Sequence, residues 1–219
     1  SHELKTPMTT IAGFIDGILD GTIPGEKRDY YLKIVSDEVK RLSRLVKSML
    51  DLSRIDNGQL KLTPVQFDLT EVACNTLLSF EQRIENKKIT VVDLEDCQRE
   101  DVTADYDLIG QVVYNLLDNA IKFSHPDSAI RIETNEKHGK VFVSVKDSGI
   151  GIPKDSLRLI FDRFYKTDLS RGKDKKGTGL GLSITKEIIQ AHNENINVIS
   201  TEGVGSEFIF SLPVQDNEA

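Results

Sequence analysis

His2 and Glu3 are the first residues of this sequence with a type and setting suited to chemistry. They stand in Ser1-His-Glu-Leu-Lys-Thr-Pro7, a segment whose apolar line runs through Leu4, Met8 and Ile11. That line turns His2 away from the packed side, and an exposed neutral imidazole is a competent nucleophile near neutral pH. Glu3 can hydrogen-bond a ring N–H and raise its basicity. Thr6, Thr9 and Gly13 fall on nearly the same side and form a polar, sterically small stripe open to an approaching partner. A terminal Ser-His also reads as a cloning remnant, but that reading does not account for the Glu-Leu-Lys-Thr-Pro that follows.

Three further segments carry chemistry. Asn115-Leu-Leu-Asp-Asn-Ala-Ile-Lys-Phe-Ser124 puts the amides of Asn115 and Asn119 on one helix face, with Lys122 roughly on that side. Asparagine within a helix is commonly exposed filler. Two in register and followed by lysine also suit oxygen ligation of Mg²⁺ and a cation for phosphate. Asp147-Ser-Gly-Ile-Gly-Ile-Pro153 follows a strand; its glycines let backbone approach a flat ligand, and Asp147 offers an acceptor for an exocyclic amine. Gly177-Thr-Gly-Leu-Gly-Leu182 runs into a helix, whose first N–H groups can bind phosphate. Either glycine segment alone is a weak signal and reads first as a tight turn before a helix. Residues 163–176 hold six basic residues (Arg163, Lys166, Arg171, Lys173, Lys175, Lys176) against Asp168 and Asp174. By itself such a run is a solvated face; placed before a phosphate-type turn it reads as a mobile lid.

The elements that must position these residues follow from patterning. The steps Leu4, Met8, Ile11, Ile15, Ile18 and Val35, Val39, Leu42, Val46, Met49, Leu52 predict two helices, broken at Gly21-Thr-Ile-Pro-Gly25 and ending near Asn57-Gly58. An antiparallel hairpin cannot cover both of its apolar stripes, so two copies are expected to pair into a four-helix bundle, a homodimer. Residues 1–58 are net neutral, and the rest carries the entire charge of −7. A linker is expected over 59–67, containing Pro64. Beyond it, a helix from Asp68 to about Asn86, a strand near 89–94, a helix over 105–121, strands at 129–133 and 141–145, a helix over 179–192 and a hairpin of 196–200 with 207–212 predict a mixed sheet with helices on one face. The tail is 215–219.

Composition bounds the rest. The chain has 219 residues, and no apolar run approaches the roughly 20 residues of a membrane span. Cys74 and Cys97 are too few for a disulfide framework or a four-ligand zinc site, which suits a reduced compartment. The acidic balance argues against a nucleic-acid partner. His125, His138 and His192 read as structural or solvated, and both cysteines as packing residues.

Taken in order, these motifs resemble the catalytic core of a sensor histidine kinase of two-component signalling, over nearly the whole length. Residues 1–7 resemble the phosphoacceptor box, 115–124 the N box, 147–153 the first glycine box, Ile160-Phe-Asp-Arg-Phe-Tyr165 the phenylalanine box and 177–182 the second glycine box. The resemblance implies an α+β chain: a dimerising helical hairpin over 1–58, then a Bergerat-type α/β sandwich over 68–214 that binds ATP and Mg²⁺. It implies that His2 accepts the γ-phosphoryl group, that Glu3 is the neighbouring acid/base, and that Thr6 positions water when the protein dephosphorylates its partner. Asn119 would coordinate Mg²⁺, Asn115 would be a second polar contact or base, and Lys122 would meet the phosphates. Asp147 would hold the adenine amine, with Phe123, Gly149 and Gly151 shaping its pocket. Arg163, Lys166, Gly177, Thr178, Gly179, Leu180 and Gly181 would serve the lid and phosphates.

The implied partner is a response regulator, to whose aspartate the phosphoryl group passes. The implied location is the cytoplasmic face of the cell membrane, in a parent whose sensor and spans precede this soluble stretch. Related folds include protein-serine kinases and clamp-closing ATPases, which call for no exposed histidine on a hairpin. A non-catalytic dimer scaffold would not need Asn119, Asp147 and the glycines. Two departures stand out. Lys176 occupies a position often held by glycine, and Ala191-His-Asn-Glu-Asn195 replaces a His-Gly-Gly turn. Asparagine tolerates the left-handed region, so the turn is expected to survive.

Overall fold

The computed structural model describes residues 2–56, 61–92, 99–173 and 177–214, with the backbone alone at 2, 3, 55, 56, 171 and 173. The chain divides into two compact units, Ser1–Asn57 and Gly58–Ala219.

The first unit is a hairpin of α1 (His2–Leu19) and α2 (Arg28–Asp56). Gly21 turns the chain at φ +80°, and the Ile23 N–H bonds the Gly17 carbonyl at 2.8 Å. Gly17 leaves room for the folded-back Ile23 side chain, whose Cδ1 lies 3.2 Å from where a Cβ would be. The inward face of α1 carries Leu4, Pro7, Ile11, Phe14 and Ile18, and the Phe14 ring meets Tyr31 of α2 at 5.0 Å. Met8, expected on the packed line, is 57% exposed, and Pro7 is buried instead. On α2 the most buried residue is Leu45, at 1% exposure, which the expected line omitted; Val39 and Val46 face out. The expected C-cap at Asn57-Gly58 lies outside the described residues.

The second unit has a five-stranded sheet ordered β2-β4-β5-β7-β6, with β2 (Thr90–Val92), β4 (Ala129–Lys137), β5 (Lys140–Asp147), β6 (Ile196–Thr201) and β7 (Gly205–Pro213). Among the described strands only β2 and β4 run parallel, so the sheet is mixed. One face buries Ile130, Ile132, Val143, Val145, Phe208 and Phe210 beneath α3 (Leu69–Leu78), α5 (Tyr106–Phe123) and α7 (Gly181–Ala191), which contribute Leu69, Val72, Leu116, Leu117, Ile184 and Ile188. The β4–β5 turn places His138 at φ 54° and Gly139 at φ 71°, the paired left-handed geometry of a two-residue hairpin.

Several expectations change. Residues 64–67, expected in a linker, belong to a strand: β1 (Pro64–Asp68) pairs antiparallel with β3 (Asp101–Asp105) in a second, two-stranded sheet. The helix expected over 68–86 is two, α3 and α4 (Glu81–Lys87), broken where Phe80 turns into the core and stacks on Tyr114 at 4.9 Å. A short α6 (Asp168–Lys173) lies within the segment read as a lid, and residues 174–176, Lys176 among them, are outside the described residues. So are Cys97, residues 59–60 of the expected linker, and the tail; Cys74 sits half-buried on α3. The turn after α7 does survive, with Asn193 at φ 60°. Glu194 beside it is buried, and it accepts from Lys140 Nζ at 2.8 Å and Ser211 Oγ at 2.6 Å. Removing one partner of a buried carboxylate leaves an uncompensated charge. Lys140→Met is therefore expected to lower unfolding stability by about 2 kcal/mol, read as a lowered urea midpoint with unchanged slope.

Candidate functional site

Helix α5 is the axis of the site. Its N-cap Asp105 accepts from the Leu108 N–H at 3.1 Å, and its buried line (Ile109, Val112, Val113, Leu116, Leu117, Ala120) fixes its rotation on the sheet. That rotation leaves Asn115 and Asn119 half-buried beside the core. Asn115 Nδ2 donates to the Gly181 carbonyl at 3.2 Å and to Thr185 Oγ1 at 3.3 Å, tying α5 to the start of α7. An amide so engaged holds the second glycine segment. Asn119 has no side-chain partner among the described residues, so its amide oxygen is available to a hard cation. Lys122, expected to face phosphate, bonds Asp118 Oδ2 at 2.8 Å. Arg83 reaches the other Asp118 oxygen at 2.7 Å. Burial alone would raise the Asp118 carboxyl, but these two cations outweigh it and hold it below the usual range.

The C-terminal end of α5 meets the first glycine segment. The Phe123 carbonyl accepts from the Ile150 N–H at 3.3 Å, and a Cβ at Gly149 would stand 2.3 Å from that carbonyl oxygen. Glycine is required there by close backbone approach. Lys87 of α4 supports this end: its ammonium donates to the carbonyls of Ile121 and Lys122 at 2.8 Å each and of Ser124 at 3.2 Å, a cation on a helix C-terminus. The Ser124 hydroxyl is buried there without a partner among the described residues.

Asp147 closes β5 and is 7% exposed. Its Oδ1 accepts from the Gly149 N–H at 2.9 Å, and the Ser206 N–H across on β7 also donates to its carboxylate. Burial pushes the Asp147 carboxyl up to about 6, against the lowering effect of those two bonds. No side-chain cation pairs with it among the described residues. Gly151, expected to shape a ligand pocket, is required by neighbouring backbone: it holds φ +64°, and a Cβ there would lie 2.0 Å from the Thr201 oxygen. Ser206 was missed by sequence reasoning; its signal is the pairing Asp147↔Ser206, which needs the sheet register.

The phenylalanine segment and the second glycine segment form one piece. Phe164 sits at φ 66°, its N–H bonds the Gly179 carbonyl at 2.9 Å, and a Cβ at Gly179 would lie 2.9 Å from the Phe164 Cα. Lys166 Nζ donates to the Gly177 carbonyl, and Arg163 pairs with Glu187 of α7 at 3.8 Å. The Leu180 side chain is fully buried, so what it offers a ligand is backbone. Thr178 Oγ1 accepts from the Leu180 N–H at 3.3 Å. Helix α7 then begins at Gly181 with no side-chain cap, leaving its first N–H groups without intrahelical partners.

Asn115 thus joins α5 to the second glycine segment, and Phe123 joins it to the first. In the helical unit Thr6, Thr9 and Gly13 are exposed, as expected. The backbone of His2 lies in α1, while its side chain and that of Glu3, like those of Arg171 and Lys173, lie outside the described residues.

The family described as histidine kinase-, DNA gyrase B- and HSP90-like ATPase matches residues 104–216, and the His Kinase A (phospho-acceptor) domain matches residues 1–58. The chain belongs to the sensor histidine kinases. Its second unit is the ATP-binding domain of that family, and the fold is a helical hairpin followed by a mixed-sheet α/β ATPase domain. Sensor histidine kinase YclK of Bacillus subtilis (strain 168) is 38% identical over 216 residues, covering 98% of this chain and 45% of the relative. Among solved structures, histidine kinase AdeS of Acinetobacter baumannii superposes with a TM-score of 0.81 at 29% identity, over 99% of each chain. Histidine kinase ThkA in complex with response regulator protein TrrA gives 0.74 at 29% identity, over 100% of this chain and 60% of that one. The chain spans less than half the length of the curated relatives it matches. Among the described residues no helix is long and apolar enough to cross a membrane.

Proposed function

We propose that this chain transfers the γ-phosphoryl group of ATP to a ring nitrogen of its own His2, releasing ADP, and then passes the group to an aspartate of a response regulator. The observation that carries the reading is α5 bonded from its middle, through Asn115, to the uncapped start of α7 and from its C-terminal end, through Phe123, to the loop of Asp147. A buried carboxylate met only by backbone donors suits an exocyclic amine, and the open N–H groups of α7 suit phosphate oxygens. The phosphoacceptor match over residues 1–58 supplies the second module.

In this reading Asp147 holds the adenine amine, with Phe123 and Gly149 at its side and Ser206 orienting its carboxylate. Asn115 fixes the hinge of Gly177, Gly179 and Gly181. Thr178 and the Leu180 backbone stand beside the phosphates, and Arg163 and Lys166 flank them. Asn119 would hold Mg²⁺, which when bound neutralises phosphate charge. Lys122 acts through Asp118 until a phosphate competes for it. Glu3 accepts or returns the proton at the imidazole, so that the attacking nitrogen carries a free lone pair. Thr6, exposed on the same helix, positions water for the reverse task, dephosphorylation of the regulator.

Homodimerisation is supported by Leu32, Val39, Val46 and Leu50 of α2, which are 41–57% exposed on a hairpin that leaves them uncovered. The regulator partner is supported by the ThkA–TrrA complex; membrane anchoring of the whole protein is carried by the family resemblance alone. The deciding experiment is incubation with γ-labelled ATP. Wild type should gain acid-labile label, while His2→Gln gains none and still binds nucleotide; label on His2→Gln, or acid-stable label, would refute the assignment.

A further inference from the structure

His192, read from the sequence as structural or solvated, has both ring nitrogens committed. Nδ1 faces the Ile188 carbonyl at 2.8 Å, and Nε2 lies 3.0 Å from the Asp105 backbone nitrogen. A backbone N–H can only donate, so Nε2 accepts and the proton sits on Nδ1, donated to Ile188. The ring is thereby fixed to the last turn of α7 and holds the junction between β3 and α5. Asp105 is itself a branch point: its Oδ1 caps α5 and its Oδ2 accepts from the Thr63 N–H at 2.9 Å. Thr63 immediately precedes β1 and stands three residues after the stretch 57–60, where the chain passes from one compact unit to the next.

Helix α7 makes this junction reach the site. Its eleven residues span about 16 Å and start at the Gly181 that Asn115 holds. Ile184, Ile188 and Ile189 are buried along it, at 0–2% exposure, so packing anchors the helix along its length. One end is the phosphate-side turn; the other grips Asp105.

We propose that His192 is a positioning residue for phosphoryl transfer: by gripping Asp105 it ties α7 to the Thr63 backbone, where the chain enters the ATP-binding unit. The inference rests on the autokinase reading above. The anchor touches no nucleotide group, so losing it leaves nucleotide binding intact while the two reactants meet in the productive geometry less often. Its signature is a split between kcat and KM.

The test uses the full chain and two independent lesions. His192→Leu removes the acceptor for the Asp105 N–H. Thr63→Pro removes the donor at the other end of the relay and alters neither α7 nor any glycine segment. Both are expected to lower kcat for His2 labelling at least fivefold, with KM for ATP and affinity for a fluorescent ATP analogue within twofold of wild type. His192→Gln, which keeps a terminal acceptor, should recover most of the rate. Unchanged kcat in both lesions would overturn the proposal, as would affinity falling together with rate in Thr63→Pro. A wild-type chain that leaves His2 unlabelled would remove the autokinase reading itself, a result distinct from either.

Discussion

Asp147→Asn is expected to weaken binding of adenine nucleotides about a hundredfold and, at neutral pH, to leave the ATP-binding unit no less stable. The affinity loss follows from replacing a charged acceptor by a neutral one in a buried site, worth about 3 kcal/mol for a charge-assisted hydrogen bond. The stability effect follows from the sign of the Asp147 shift. Its carboxyl is raised from 3.8 to about 6, chiefly by burial. The folded state therefore holds the proton more tightly than the unfolded state. The group's contribution is complete below about pH 4 and is lost as pH rises from about 4 through 6, by roughly 3 kcal/mol in all. Asparagine has no such slope, so unfolding free energy of the variant minus that of wild type should grow across this window. Chemical denaturation at pH 4, 5, 6 and 7 measures it. Binding has the opposite slope, because an amine donor prefers the carboxylate form. Wild-type affinity, referenced to the variant at each pH, should fall about tenfold between pH 7 and pH 5. A flat ratio would show that Asp147 does not meet the nucleotide's amine.

The parts of this site legible in the sequence are those set by local period. Asn115 and Asn119 share a face because helical spacing puts them there, and α5 obeys its own hydrophobic line. Asp147 at a strand end and Gly177 before a helix were readable for the same reason. What escaped depends on contacts distant in sequence. Strand β1 contains Pro64 and exists because β3 pairs with it some forty residues later. The break between α3 and α4 carries neither glycine nor proline; Phe80 turns inward because Tyr114 of α5 offers it a ring. On α2, period alone cannot say which of two apolar stripes meets α1: the spacing points to Val46, and the hairpin buries its neighbour Leu45. Lys122 was read toward phosphate although Asp118, four residues before it, is the better local partner, acid preceding base on a helix. Ser206, Lys87 and His192 carry no signal without the register and packing that bring them to Asp147, α5 and Asp105.

Gly151 offers the sharpest test of that packing. Gly151→Ala is expected to destabilise the ATP-binding unit by more than about 3 kcal/mol, lowering its midpoint by roughly 10 °C. Two effects add. At φ +64° an L-residue costs about 1–2 kcal/mol from its own Cβ, and here that Cβ would also stand 2.0 Å from the Thr201 oxygen. The clash cannot be relieved by a side-chain rotation, because both neighbours are backbone held in place. The Gly203 N–H bonds the Ile150 carbonyl at 2.8 Å, and the Ile152 N–H bonds Ser200 Oγ at 2.9 Å. Moving residues 150–152 away from β6 breaks these bonds and drags the Asp147 loop with them, so nucleotide binding should fall in the same variant. Gly110→Ala supplies the contrast within one unit. Gly110 lies inside α5 with nothing within 4 Å of its added Cβ, and the change should stabilise by about 0.5–1 kcal/mol through helix propensity. The two glycines therefore predict opposite signs from the same chemical change. Equal midpoints for Gly151→Ala and wild type would mean that the first glycine segment does not rest on the β6–β7 turn, and the geometry assigned to Asp147 would lose its support.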